Sequence, residues 1–178
     1  MSSKPPDPGA LIGLGQISGA QGLKGAVKVR ADAEAATTDP EVFAAVGEVW
    51  IGGQSYPVLE AQRHKNQVLL WLDGVHTRSR AEELAGLQVL GDRRKFPPLP
   101  PGEYYWFQVV GLPVVNMEDG ALLGYLDHII STPGHDVYVV RQGEREVLLP
   151  AVEDVIVEIN LEEGVIKASP PLGLLELS

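Results

Sequence analysis

The stretch Phe96-Pro97-Pro98-Leu99-Pro100-Pro101-Gly102, near the middle of the chain, constrains the fold more than any other segment. Its prolines lack backbone donors and hold φ fixed, so the stretch cannot lie inside a helix or a sheet and favours an extended, semi-rigid spacer. A chain of 178 residues interrupted in this way reads as two small units in series, each with room for a modest core. Charge follows the same division. Residues 1–98 carry 11 Lys+Arg against 11 Asp+Glu, whereas residues 99–178 carry 3 against 13, so the whole formal net charge of -10 lies beyond the seam. The two halves therefore face different partners. Directly after the seam come Tyr104-Tyr105-Trp106-Phe107, four of the eleven aromatic residues.

A hydrophobic share of 44% with 21% charged residues is that of a folded, soluble protein. The chain has no cysteine, which excludes disulfides, thiolate metal ligation and a cysteine nucleophile and agrees with a reducing cytoplasm. No apolar run approaches the roughly 18 residues of a membrane span. Residues 1–9 have no apolar h-region and read as a short disordered tail. The expected address is cytoplasmic.

Short Val- and Leu-rich segments recur between Gly or Asn/Asp turns, the pattern of many short strands. The first half predicts strands at 11–18, 26–31, 48–51, 54–63 and 67–72, with Gly52-Gly53 as a tight hairpin turn. Two short helices interrupt them, one capped by Asp39 before Pro40 and one opened by the box Ser79-x-x-Glu82. The second half predicts strands at 108–115, 122–131, 136–141, 146–150, 156–160 and 165–168. Turns are expected at Glu118-Asp119-Gly120, Gln142-Gly143 and Glu163-Gly164. The fold class is all-β, two small β-barrels in series with a few short helices. The domains are read as a tail at 1–9, a first barrel at 10–95, a linker at 96–102 and an acidic second barrel at 103–178.

Gly13-Leu14-Gly15-Gln16-Ile17-Ser18-Gly19 imitates a dinucleotide fingerprint, with Asp32 and Glu34 at about the right distance. Its third glycine comes one residue late, and a strand rather than a helix should follow, so the stretch reads as a first strand with a glycine-rich rim loop. Lys24, Lys28 and Arg30 follow at even spacing, on one face if they share a strand, and could meet phosphates. Arg93-Arg94-Lys95 is a second basic cluster, and Arg78 and Arg80 on the second helix are weaker candidates. His64, His76, His128 and His135 lack metal-site spacing, and His135-Asp136 point to opposite faces of an extended chain, so no catalytic pair arises. No nucleophile-and-base constellation is present, and no cofactor or metal is expected. Four consecutive aromatics on an extended segment cannot all face inward, so at least one ring of Tyr104 to Phe107 serves a partner or the seam.

In order, the residues Leu11-Ile12-Gly13-x-Gly15-Gln16-Ile17, Gly22-Leu23-Lys24-Gly25-Ala26-Val27-Lys28-Val29, Gly74-Val75 and Arg80-Ala81-Glu82-Glu83-Leu84-Ala85-Gly86 form one series. Glu103-Tyr104-Tyr105-Trp106, Gly111-Leu112-Pro113-Val114, Gly120-x-x-x-Gly124, Gly134-His135-Asp136-Val137, Leu148-Leu149-Pro150 and Gly173-Leu174-Leu175 continue it. The ordered set resembles the RimM family of ribosome maturation factors, over nearly the whole chain. The resemblance implies an N-terminal six-stranded barrel of the translation-protein type and a C-terminal PRC barrel. It implies a non-enzymatic factor for maturation of the head of the small (30S) ribosomal subunit and processing of 16S rRNA, partnered by the nineteenth small-subunit protein, a basic protein of that head. The family's tyrosine pair falls on Tyr104 and Tyr105, with Trp106 beside them as a further partner-binding residue. Two departures stand out: Gln108 where the pattern expects aspartate, and His135 where asparagine is more usual. A monomer without membrane or DNA partners is expected. The alternative is a flavin- or nicotinamide-binding reductase-type barrel, and a membrane-associated PRC scaffold is a further rival.

Overall fold

The computed structural model describes residues 6–31 and 39–174. Part of the expected tail, residues 1–5, lies outside them, as do Asp32 and Glu34; of the remainder, Pro8–Ala10 forms a short 3-10 turn rather than a tail without structure. The chain divides into two compact units, residues 1–98 and 99–178.

In the first unit the strands are β1 (Leu11–Gln21), β2 (Ala26–Arg30), β3 (Glu48–Ile51), β4 (Gln54–His64), β5 (Gln67–Leu72) and β6 (Gln88–Asp92), with helices α1 (Pro40–Val46) and α2 (Arg78–Glu83). The strands pair in the order β1-β2-β5-β4-β3-β6 and close into a barrel, every pair antiparallel. Gly52 and Gly53 both take positive φ, as a two-residue hairpin between β3 and β4 requires. Strand β6, which the segment reading above lacks, seals the barrel by pairing with β1 on one side and β3 on the other. Leu14, Ile17, Val27, Val29, Phe43, Ile51, Leu70 and Val89 meet inside. Asp39 caps α1 by accepting from the Glu41 N–H at 3.0 Å, with Pro40 at the first helical position. Helix α2 is capped by Thr77, whose hydroxyl accepts from the Arg80 N–H at 3.2 Å, not by Ser79 as expected: the helix begins two residues earlier, so Ser79 lies within it.

The second unit holds helix α3 (Trp106–Val109) and strands β7 (Pro113–Asn116), β8 (Leu122–Ile130), β9 (Val137–Gln142), β10 (Arg145–Pro150), β11 (Ile156–Asn160) and β12 (Val165–Ala168). They form one six-stranded sheet in the order β10-β9-β8-β7-β12-β11. All neighbours run antiparallel except β12 and β7, which are parallel with Ile166 opposite Val114. Val114, Leu126, Val140, Leu149 and Ile166 form its core. The expected strand at 108–115 is divided between α3 and β7, because Gly111, at φ +90°, turns the chain between them and β7 starts only at Pro113.

Candidate functional site

The aromatic quartet is not one extended segment. Tyr104 and Tyr105 are extended, but Tyr105 is the N-cap of α3, so Trp106 and Phe107 turn with the helix and the strict alternation expected above does not hold. The cap is built by Gln108: its Oε1 accepts from the Tyr105 N–H at 2.9 Å, while its own N–H donates to the Tyr105 carbonyl at 2.9 Å. A side-chain oxygen three residues into the helix is what this cap needs, and the amide of Gln108 supplies it without the expected charge.

The extended backbone ahead of the helix separates the tyrosine pair. Tyr105 is buried and stacks on Phe107 with ring centroids 5.3 Å apart and planes nearly parallel. Tyr104 is half-buried, packs on the core of the second unit and donates its hydroxyl to the Ile159 carbonyl at 3.2 Å. Trp106 packs against the same core. Tyr104 and Trp106 thus meet in the second unit at a groove of about 540 Å³, which Tyr105 does not line. The third ring of the groove is Tyr138 on β9, and burial together with the Asp136 carboxylate pushes its phenol above the ordinary range. Four carboxylates, Glu103, Asp136, Glu153 and Glu158, share the lining. Asp136 accepts from the Ser131 hydroxyl at 2.8 Å, and Glu158 is held by the Lys167 ammonium at 2.8 Å, which draws its carboxyl below the usual range. The groove therefore combines aromatic faces with negative charge, chemistry suited to a cation.

Tyr138, Glu153 and the role of Asp136 escape a reading by segment, because β9 and the loop after β10 meet α3 only through the fold. The clue in the sequence is the abundance of carboxylates in the second half. The Asp127–His128 contact at 2.7 Å and the Asp73–His76 contact at 3.5 Å lie at exposed positions, and no cluster of metal-ligating side chains occurs among the described residues.

In the first unit, strand β2 begins only at Ala26, so Lys24 sits in the preceding turn rather than sharing a strand face with Lys28 and Arg30. That turn is seated firmly: Gly25 has φ +75°, and a Cβ there would stand 2.4 Å from the Thr77 carbonyl oxygen. Lys28 and Arg30 do share the outer face of β2, since Val27 and Val29, which alternate with them, enter the core. The Lys28 stem lies over the bare backbone of Gly19, and Arg30 donates to Gln16 Oε1 at 3.0 Å. Among the described residues no carboxylate pairs with Lys24, Lys28 or Arg30. The second cluster lies elsewhere. Arg93–Lys95 follow β6 as a 3-10 turn beside Leu11, whereas Lys28 lies opposite Gly19, roughly 25 Å away along β1 at about 3.3 Å per residue. Arg94 is held by Asp92 at 2.7 Å and Lys95 approaches Glu48 at 3.7 Å, while Arg93 is exposed. Arg78 is paired with Glu82 at 2.9 Å, and Arg80 with Glu83. A strand, β2, occupies the place where a phosphate-binding helix would follow the Gly13–Gly19 stretch.

Comparison with known proteins agrees with this architecture. Residues 12–96 match the RimM N-terminal domain and residues 106–174 match the RimM PRC barrel domain. The ribosome maturation factor RimM of Geobacter metallireducens is 37% identical over 172 residues, covering 94% of this chain and 96% of its own. That of Symbiobacterium thermophilum is 40% identical over 171 residues, covering 93% and 95%. The solution structure of the N-terminal domain of RimM from Thermus thermophilus is 25% identical and covers 51% of this chain and 98% of its own, at a TM-score of 0.42. With both domain models matched in order, and relatives of this identity spanning nearly their full length, the chain belongs to the RimM family of ribosome maturation factors.

Proposed function

We propose that this protein is a cytoplasmic, non-enzymatic assembly factor for the head of the small ribosomal subunit, acting through a division of labour between its units. The acidic second unit receives a basic ribosomal protein of the head, the nineteenth of the small-subunit series; Tyr104 and Trp106 anchor that contact, and Tyr105 acts through the turn that presents them. The first unit meets 16S rRNA through Lys24, Lys28 and Arg30, with Arg93, Arg94 and Lys95 as a separate basic point. The supporting observation is the polarised charge: thirteen carboxylates against three cations beyond the seam repel phosphate and attract a cationic protein, and a groove of aromatic rings and carboxylates lies within that unit.

The three aromatic residues have different jobs in this division. Tyr104 and Trp106 line the groove, so they can touch a partner; buried Tyr105 and Gln108 hold the turn that presents them. Such a factor holds its client in a binding-ready state and then leaves, making and breaking no covalent bond. The test is titration of the whole chain with the basic head protein from low to high salt. Affinity should fall steeply as salt rises, and an affinity indifferent to salt would defeat electrostatic capture.

A further inference from the structure

We infer that the groove of the second unit receives an extended, arginine- or lysine-bearing segment, and that the phenol of Tyr138 fixes the segment's main chain. The inference rests on the basic partner proposed above and gives it a place on the molecule. The cavity, about 540 Å³, falls in the ordinary range of binding sites.

Tyr138 provides the observation that acidic charge alone would not. Its residue exposure is 9%, yet its hydroxyl has no hydrogen-bond partner among the described residues. No side-chain nitrogen or oxygen there is both sealed from solvent and unpaired, so the phenol opens onto the groove it lines. Held in its protonated form by burial and by Asp136, it is a donor awaiting an acceptor, and a main-chain carbonyl is the acceptor every peptide offers. Glu103 and Glu153 have no cationic partner among the described residues, unlike Glu158, so they are the carboxylates free to take an incoming charge. Tyr104 and Trp106 provide ring faces along which a long basic side chain can lay its methylenes and guanidinium. Four carboxylates in one lining disfavour a phosphate backbone in the same place.

The probe is a short peptide of alternating glycine and arginine, titrated into the whole chain by calorimetry and NMR, with the citrulline version as a neutral isostere. The arginine peptide should bind and shift the groove resonances, and the citrulline version should not. Glu103→Gln with Glu153→Gln should weaken binding about tenfold or more. Glu144→Gln with Glu162→Gln, the same loss of charge on turns away from the groove, should change it less than about twofold. Tyr138→Phe should weaken it about three- to tenfold with the thermal transition kept. Equal losses in the two charge-neutralised variants would mean diffuse attraction only and overturn the groove assignment, while the salt-dependent binding of the head protein would survive. An unchanged Tyr138→Phe variant would overturn the phenol's role. Absence of peptide binding in a chain that still binds the head protein would place the contact elsewhere and overturn the inference. Failure to bind the head protein itself would instead remove the reading on which the inference rests.

Discussion

Asp92 is the one charged side chain buried among the described residues, and it is buried because Arg94 accompanies it. The guanidinium donates to both carboxylate oxygens, at 2.9 and 3.2 Å from Nε and 2.7 Å from Nη2, and the Arg94 N–H adds a bond at 3.0 Å. These contacts, the Arg94 side chain first, hold the Asp92 carboxyl below the usual range against the opposing effect of desolvation. Because its folded value lies below that of free aspartate, about 3.9, the carboxylate adds stability above that pH. The contribution is lost as the pH falls through the folded value. Asp92→Asn should therefore lower the melting temperature at neutral pH, by on the order of 1–2 kcal/mol of stability, and flatten the loss on acidification below about pH 4. Circular dichroism melts across that range check it; a variant with the parent's acid limb would remove Asp92 from the account.

Among the elements, α3 has the largest bearing on the proposed function because its turn and cap position the aromatic rings at the groove. Gln108→Ala removes the acceptor for the Tyr105 N–H and should destabilise the turn by about 0.5–2 kcal/mol, with a shift in Trp106 fluorescence that reports the altered groove wall. An unmoved Trp106 spectrum would show that packing alone holds the turn. This element also marks where reading by segment reaches its limit. Strands such as Glu48–Ile51, Gln67–Leu72, Ile156–Asn160 and Val165–Ala168 declare themselves through local alternation and flanking turns, and Asp39-Pro40 announces its own helix. Strand β6 is short and carries only two apolar residues, Val89 and Leu90, before Gly91 and Asp92, so its identity comes from β1 and β3 on either side. The groove was half legible. Tyr104 and Trp106 stood out as aromatics after a proline run, but Asp136 with Tyr138 and Glu153 come from two further segments and acquire a shared purpose only when the sheet assembles. The basic residues were legible as types and not as a set, since only the β1 register shows that Arg93–Lys95 and Lys28 lie at opposite ends of that strand.

At the scale of the whole molecule, each unit has a core of its own, with Phe43 fully buried in the first and Leu149 in the second. A cavity made in one core should therefore weaken that unit first. Phe43→Ala should cost about 3–5 kcal/mol and lower the transition followed through Trp50 and Trp71. The transition followed through Trp106 in a chain carrying Trp50→Phe and Trp71→Phe should stay where it was. A common shift of both transitions would mean that the units unfold as one. The closed barrel of the first unit leaves no strand with an idle row of backbone donors, but the sheet of the second unit ends at β10 and β11. Those outermost strands are the places where a stray chain could add itself. Glu144, Arg145 and Glu146 stand at the start of one and Glu158 on the other, so an approaching strand must desolvate charge before it gains its first bond. Under the proposed function the surplus of carboxylates would then serve twice, admitting a basic client while keeping copies of the protein from knitting together in a crowded cell.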